Sequence, residues 1–248
     1  MTTLILSPRY TEDSQKLWRG AISLGWDVER LANWQIPPRL FSVEKPVIYL
    51  EGLMAGMVAQ QLKISLIEPR EDWLCDLPQK YRKRAIAIKT FKEAKNLQES
   101  AFIKPPNEKS FLAGIYRGAE LPEGYPEDGP VLISEIVQWE CEFRCFILHR
   151  QLQTFSIYLR DGELQRENGY AHSVQEEQEL KEYVRGLLAD STVQLPPAIV
   201  LDVGVIKDKG WAVVELNSAW GSGIYGCDPV EVLEVLKHSV KQDSQDRK

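Results

Sequence analysis

Residues 200–217 read Val-Leu-Asp-Val-Gly-Val-Ile-Lys-Asp-Lys-Gly-Trp-Ala-Val-Val-Glu-Leu-Asn. Two apolar runs joined by a polar turn specify an antiparallel β-hairpin, with Gly210 supplying the positive φ that such a turn needs. Side chains alternate along a strand, so Asp202 and Gly204 share one face, and Glu215 and Asn217 share one face of the partner. A hairpin centred near Asp208 sets Asp202 opposite Glu215. Three oxygen-bearing side chains then converge in apolar surroundings. Two buried carboxylates are costly without positive charge, and a hard cation such as Mg²⁺ is their natural partner.

The rest of the chain must build the setting for that hairpin. With 248 residues there is material for one large domain or two small ones, each with a core. A net charge of −6 speaks against nucleic acid as the main partner. No apolar run approaches the roughly 20 residues that span a bilayer. The first residues, Met-Thr-Thr-Leu-Ile-Leu-Ser, lack the basic start of a signal peptide and read as a buried strand. Cys75, Cys141, Cys145 and Cys227 are scattered without a matching Cys/His pair, which speaks against a zinc site and points to free thiols in a reducing cytoplasm.

Strands and helices alternate from residue 3 to about 75, the pattern of a small Rossmann-like parallel α/β unit. Strands are expected at 4–6, 26–31, 46–50 and 66–69, with helices at 15–24 and 52–62. No Gly-x-Gly-x-x-Gly turn follows the first strand, so a dinucleotide site is not expected there. Arg9 sits at the carboxyl end of that strand, where open α/β sheets bind ligands. Residues 74–97 read as mostly helical and basic, with Arg84 and Lys89 as candidates to reach a ligand. Lys104 lies on the strand Ala-Phe-Ile-Lys, stopped by Pro105 and Pro106. A lysine half-buried beside Phe102 and Ile103 requires an anionic partner, either a phosphate or a carboxylate. The small polar segment 107–114 reads as flexible, with a returning antiparallel strand at 115–117.

Buried strands follow at 131–137 and 138–148, and in the second Glu142, Arg144 and Phe146 share a face. Ser173 opens a helix to Ala189, with glutamates in its first turns that suit the helix dipole. After the hairpin, the loop Trp220-Gly-Ser-Gly-Ile-Tyr-Gly226 precedes Asp228 and Pro229, which cap and begin a last helix at 230–240. Its backbone N–H groups are a candidate anion cradle or a plain loop. Residues 241–248 are expected to fray.

Taken in chain order, these features resemble the ATP-grasp superfamily of ligases over roughly residues 85–240. Lys104 in Phe-Ile-Lys-Pro is similar to the strand lysine that holds nucleotide phosphates, and 107–114 stands where that family has its phosphate-covering flap. Glu135, Ile136 and Val137 look like the hinge that reads adenine, and Glu142 falls where the family has its ribose-binding acid. Asp202, Glu215 and Asn217 are similar to its Mg²⁺ ligands, through Val-Val-Glu-Leu-Asn. Within the superfamily the chain looks most like a clade named for two arginines and a lysine, through Phe-Ile-Lys-Pro, Glu-Phe-Arg-Cys-Phe and the run from Glu215 to Tyr225. It departs from better-known members in a short flap that is not glycine-rich and in Val200, where a phosphate-binding arginine is expected. The N-terminal unit also lacks a familiar substrate signature. Arg144 is the candidate to take over that arginine's work.

The resemblance implies an α/β (α+β) ATP-grasp fold behind a pre-ATP-grasp unit at 1–84. The lid is expected at about 85–130 and the metal-binding core at about 131–240. It implies an enzyme using ATP and Mg²⁺ to join a carboxylate to an amine or thiol through an acylphosphate. Catalytic residues would be Lys104 and Arg144, with the nucleotide also meeting Glu135, Ile136, Val137 and Glu142. A phosphotransferase, or a non-catalytic nucleotide-binding module, are the other classes. Retention of Lys104, Asp202, Glu215 and Asn217 together speaks against the module. The substrate would be a carboxylate-bearing small molecule or peptide, with Arg9, Arg117, Ser222, Gly223 and Tyr225 as contacts. Arg160, His172 and Trp220 are further candidates. A homodimer is left open.

Overall fold

The structure, a computed structural model, describes residues 1–107 and 110–242. Three parallel strands, Asp27–Arg30, Thr2–Leu6 and Lys45–Tyr49 in spatial order, form the sheet of the N-terminal unit. Helix Glu12–Ser23 starts at Thr11, whose hydroxyl accepts from the Ser14 amide while Ser14 answers to the Thr11 amide. This capping box satisfies N–H groups that the first turn leaves unpaired. Helix Gly52–Leu62 follows the third strand. The fourth strand expected in this sheet lies elsewhere. Ile64–Leu66 pairs antiparallel with Val240–Gln242, so Lys241 and Gln242, expected to fray, are held against Ser65 and Ile64. Residues 243–248 lie outside the described residues.

The long helix expected at 74–97 is absent. Pro78 interrupts it, leaving single turns at Trp73–Asp76 and Gln79–Arg82, and the chain then enters the strand Ile86–Thr90. Ile86, Ile88 and Thr90 alternate with Ala87 and Lys89, a β pattern that outweighs the helix propensity of the lysines. This strand opens a four-stranded antiparallel sheet, ordered Ile86–Thr90, Pro130–Ser134, Ala101–Lys104, Gly114–Tyr116. Its own core gathers Phe91, Ile103, Leu121 and Val131. Phe111 packs edge-on against Tyr125, with ring centroids 5.2 Å apart, so the segment expected to be simply flexible is anchored there. Residues 108 and 109 lie outside the described residues.

A second antiparallel sheet of five strands holds the hairpin. Gln151–Arg160, Trp139–Leu148, Ala198–Ile206 and Gly210–Asn217 lie side by side, with short Glu163–Leu164 at the outer edge. One face, carrying Phe143, Cys145, Ile147, Leu201 and Val203, packs on helix Val174–Ala189. The other carries Phe146, Leu148, Ala198 and Val200 against helix Pro229–Leu236 and the N-terminal unit. Along this second face the residues become polar, from Ala198 and Val200 to Asp202, and from Phe146 to Arg144 and Glu142. The apolar half anchors the sheet, and the polar half is left for chemistry.

Candidate active site

The hairpin turns through Lys207, Asp208 and Lys209, with Asp208 and Gly210 both at positive φ (63° and 74°). Asp202 pairs with Glu215 across it, and a β-bulge follows, because Val203 pairs with Val213 and Val214 is left over. The bulge keeps Val213 and Leu216 in the core while Glu215 and Asn217 face the opposite side. Arg84 secures it. The Arg84 guanidinium donates to the Val213 and Val214 carbonyls at 2.6 and 2.8 Å and stacks on Trp139. Burial pulls its pKa down to about 10. Arg84 is therefore built into the fold, and Lys89 lies exposed beside Glu93 at 3.5 Å.

Asp202 is fully buried. Arg144, its cross-strand neighbour on the other side, donates Nε to one carboxylate oxygen at 2.9 Å and Nη2 to the other at 2.7 Å. Burial opposes the Arg144 charge, but the Asp202 carboxylate more than offsets this and raises the guanidinium above its ordinary range. Asn217 Nδ2 donates to Asp202 at 3.1 Å and to Glu215 at 2.8 Å. The Lys104 ammonium, from the four-stranded sheet, pairs with the other Glu215 oxygen. Burial alone raises the Glu215 carboxyl, and Lys104, Asn217 and Arg144 together bring it down to about 2.

Arg144 also donates Nη1 to the Gly223 carbonyl at 3.1 Å and lies against the Tyr158 and Tyr225 rings, which stack with centroids 5.0 Å apart. Tyr158 Oη donates to Glu142 at 2.6 Å, while burial pushes the Glu142 carboxyl up. Thus Lys104, Glu142, Arg144, Asp202, Glu215, Asn217, Gly223 and Tyr225 form one connected network. Between the two antiparallel sheets a small cleft opens beside it, lined by Trp73, Lys104, Asn107, Leu132, Glu215 and Leu216.

The remaining candidates are not joined to that network. Glu135, Ile136 and Val137 follow the strand end at Ser134 and lead into the five-stranded sheet, and the Glu135 carboxylate is engaged by Lys209 and the Ala85 amide. Arg9 is 74% exposed, 3.8 Å from Glu51. Arg117 follows Tyr116, which pairs with Ala101, so it stands at the opposite end of that sheet from Lys104. Ser222 is buried, its hydroxyl turned back to the Ser218 carbonyl. Arg160 pairs with Glu176, His172 packs between Phe143 and Phe155, and Trp220 is buried with its indole N–H on the Ile67 carbonyl. The glycine-rich loop is no open anion cradle, because the amides of Gly221, Ser222, Ile224, Gly226, Cys227 and Asp228 all donate within the protein.

Two contributors were not singled out from the sequence. Tyr158 was open to the same alternation that found Arg144. Asp13 stands in the first turn of a helix, and nothing local in the sequence distinguishes it. Its carboxylate accepts from the Ile224 amide at 2.9 Å and the Tyr49 hydroxyl at 3.3 Å.

A four-stranded sheet thus brings its lysine to a carboxylate of the larger five-stranded sheet, behind a parallel α/β unit. The RimK domain protein ATP-grasp from Sphaerobacter thermophilus superposes with a TM-score of 0.55 at 13% identity, over 96% of this chain and 98% of its own. The L-amino acid ligase from Bacillus licheniformis gives 0.57 at 14%, over 96% and 74%. D-alanine–D-alanine ligase from Bacillus anthracis gives 0.51 at 12%, over 96% and 97%. At such identities the likeness carries the fold alone. The family follows from sequence. The model of the ATP-grasp domain for family 2 of the clade named for two arginines and a lysine matches residues 81–235, more than half of the chain, and the protein belongs to that family. None of the curated proteins is similar enough in sequence to match.

Proposed function

We propose that the protein is an ATP-dependent carboxylate–amine ligase that activates its substrate as an acylphosphate, acting on an amino acid, peptide or protein. The observation that carries this reading is the junction of Lys104 with Glu215, Asp202 and Arg144 beside the cleft between the two sheets. Nitrogen donors from Lys104, Asn217 and Arg144 already answer the two carboxylates, a measure of how much positive charge suits this pocket. Two carboxylates and a carboxamide are oxygen ligands of the kind a hard cation takes, and they fit Mg²⁺. Among the described residues no group of three or more His, Cys, Asp and Glu side chains gathers as a metal centre. An ion here would be held by Asp202, Glu215 and the Asn217 amide oxygen. Bound there, Mg²⁺ supplies neutralisation of charge on the transferring phosphoryl group.

The chain's own residues do the positioning. Lys104, once a nucleotide occupies the cleft, exchanges part of its contact with Glu215 for phosphate oxygens. Three of the five Arg144 N–H groups are taken by Asp202 and Gly223, and two remain for a phosphate or substrate carboxylate oxygen. Glu142 accepts from the ribose hydroxyls, and residues 135–137 meet the adenine along their backbone. A substrate carboxylate oxygen attacks the γ-phosphorus, the bond to the β,γ-bridging oxygen breaks, and ADP leaves. An amine then attacks the acyl carbon and expels phosphate. Water must be kept from the acylphosphate, a task for the segment anchored by Phe111. The four cysteines are free, and no helix among the described residues is long and apolar enough to cross a membrane, which supports our placing it in the cytoplasm.

The test is incubation with Mg-ATP and pooled amino acids and short peptides, followed by mass detection. ADP, phosphate and an acceptor–donor condensate are expected. ADP with a stable phosphorylated product transfers the protein to the phosphotransferase class, and no nucleotide turnover in any pool defeats the ligase reading.

A further inference from the structure

The loop beside Arg144 is held from the N-terminal unit. Tyr225 has φ = +50°, a left-handed conformation that side chains other than glycine rarely adopt unless neighbours impose it. The neighbours here are two residues near the start of helix Glu12–Ser23, three positions apart and so on one face of it. Asp13 accepts the N–H of Ile224 at 2.9 Å, and Lys16 Nζ donates to the carbonyl of Tyr225 at 3.1 Å. The Tyr49 hydroxyl donates to the same Asp13 oxygen, tying the clamp to the parallel sheet. From the other side Ser156 Oγ accepts the Gly226 amide and Thr154 Oγ1 the Asp228 amide. Gly226 has no room for more, since a Cβ there would lie 2.7 Å from Ser156 Oγ and 2.8 Å from Tyr170 Cβ.

The clamped peptide units adjoin the group that matters for the site. Gly223, immediately before Ile224, presents its carbonyl to Arg144 Nη1, and the ring of Tyr225 lies against the same guanidinium, 5.0 Å from its central carbon. Arg144 is thus gripped on one side by Asp202 and on the other by a backbone whose shape the N-terminal helix imposes. We propose that Asp13 and Lys16 are positioning residues, which hold residues 223–226 in their strained conformation and so set Arg144 in register with Asp202 for catalysis. The proposal rests on the ligase reading only for its catalytic consequence, because the clamp itself is a matter of loop geometry.

Two measurements keep the two apart. Amide hydrogen exchange is followed across residues 222–227 in wild type, Asp13→Ala, Asp13→Asn and Lys16→Met, with thermal unfolding as the control on the whole chain. The same proteins are assayed for kcat and KM in Mg-ATP turnover. Loss of the clamp in Asp13→Ala is expected to speed exchange in the loop and lower kcat about tenfold or more, while KM for ATP stays within about twofold. Lys16→Met is expected to act in the same direction, and it tests the clamp even if Asp13→Ala fails to fold. Asp13→Asn keeps an acceptor oxygen for Ile224 and Tyr49 and is expected to rescue both readouts in large part. Loop exchange at the wild-type rate in the alanine and methionine variants overturns the clamp. Faster exchange with unchanged kcat overturns its role in setting Arg144. Absence of ATP turnover in wild type strikes the ligase reading instead and leaves the exchange result to decide the clamp.

Discussion

Asp202 has no solvent contact, and its charge is tolerable because Arg144 grips both carboxylate oxygens. Arg144→Ala strips that partner and strands a buried charge, so it is expected to destabilise the fold by about 3–5 kcal/mol in urea unfolding. In Asp202→Asn/Arg144→Ala the second change is expected to cost less than it does alone, the non-additivity of a direct pair. Glu215 predicts a pH dependence. Its folded pKa, about 2, lies below its ordinary 4.5, so the stability it contributes is complete above about pH 5 and is lost as pH falls through 4.5 towards 2. Glu215→Gln should flatten that part of an acid-unfolding curve, and an unchanged curve would show that the Lys104 contact does not hold the carboxylate ionised. Asp202, Glu215, Asn217 and Lys104 were legible because alternation fixes which side chains share a face, and a buried charge must have a partner. Asp13 and Lys16 were not, since their partners at 224 and 225 lie some two hundred positions along the chain.

At the scale of elements, the bulge at Val214 decides whether the hairpin works as a site. Sequence alternation placed Asp202 opposite Glu215, but it does not foresee the extra residue that lets Val213 and Leu216 stay in the core, nor Arg84 capping the bulge carbonyls. Gly204 marks how tightly this region is built. A Cβ there would run into the Cys141 carbonyl and come within 3.0 Å of the Trp139 ring. Gly204→Ala is therefore expected to lower stability by about 1–3 kcal/mol, the usual range for overpacking, in equilibrium urea unfolding. A neutral result would mean that the backbone at Cys141 shifts easily. The stretch at 74–97 differs from the helix its composition suggests for a physical reason. Its lysines and arginines favour a helix locally, yet Pro78 and the alternating Ile86, Ile88 and Thr90 belong to turns and a strand whose value lies in pairing with Pro130–Ser134.

For the whole molecule, the legible part was the order of strands: a parallel set first, then the strand carrying Lys104, then the hairpin carrying the acids. What joins them was not. The pairing of Ile64–Leu66 with Val240–Gln242, and the Leu50 amide on the Trp220 carbonyl, tie the chain's two ends together through contacts between distant positions. Truncation after Ser239 removes the second strand of the pair and is expected to loosen the N-terminal unit, seen as faster amide exchange at 64–67 with the five-stranded sheet unaffected. We propose that ATP is held and turned over where Lys104 meets Glu215 and Asp202. The most direct measurement of it compares Mg-ATP binding and ADP release in wild type and in Asp202→Asn/Glu215→Gln, with folding checked by circular dichroism. ADP release from wild type is expected, with a loss of at least about a hundredfold in the double variant. A folded double variant that still releases ADP at the wild-type rate would contradict it.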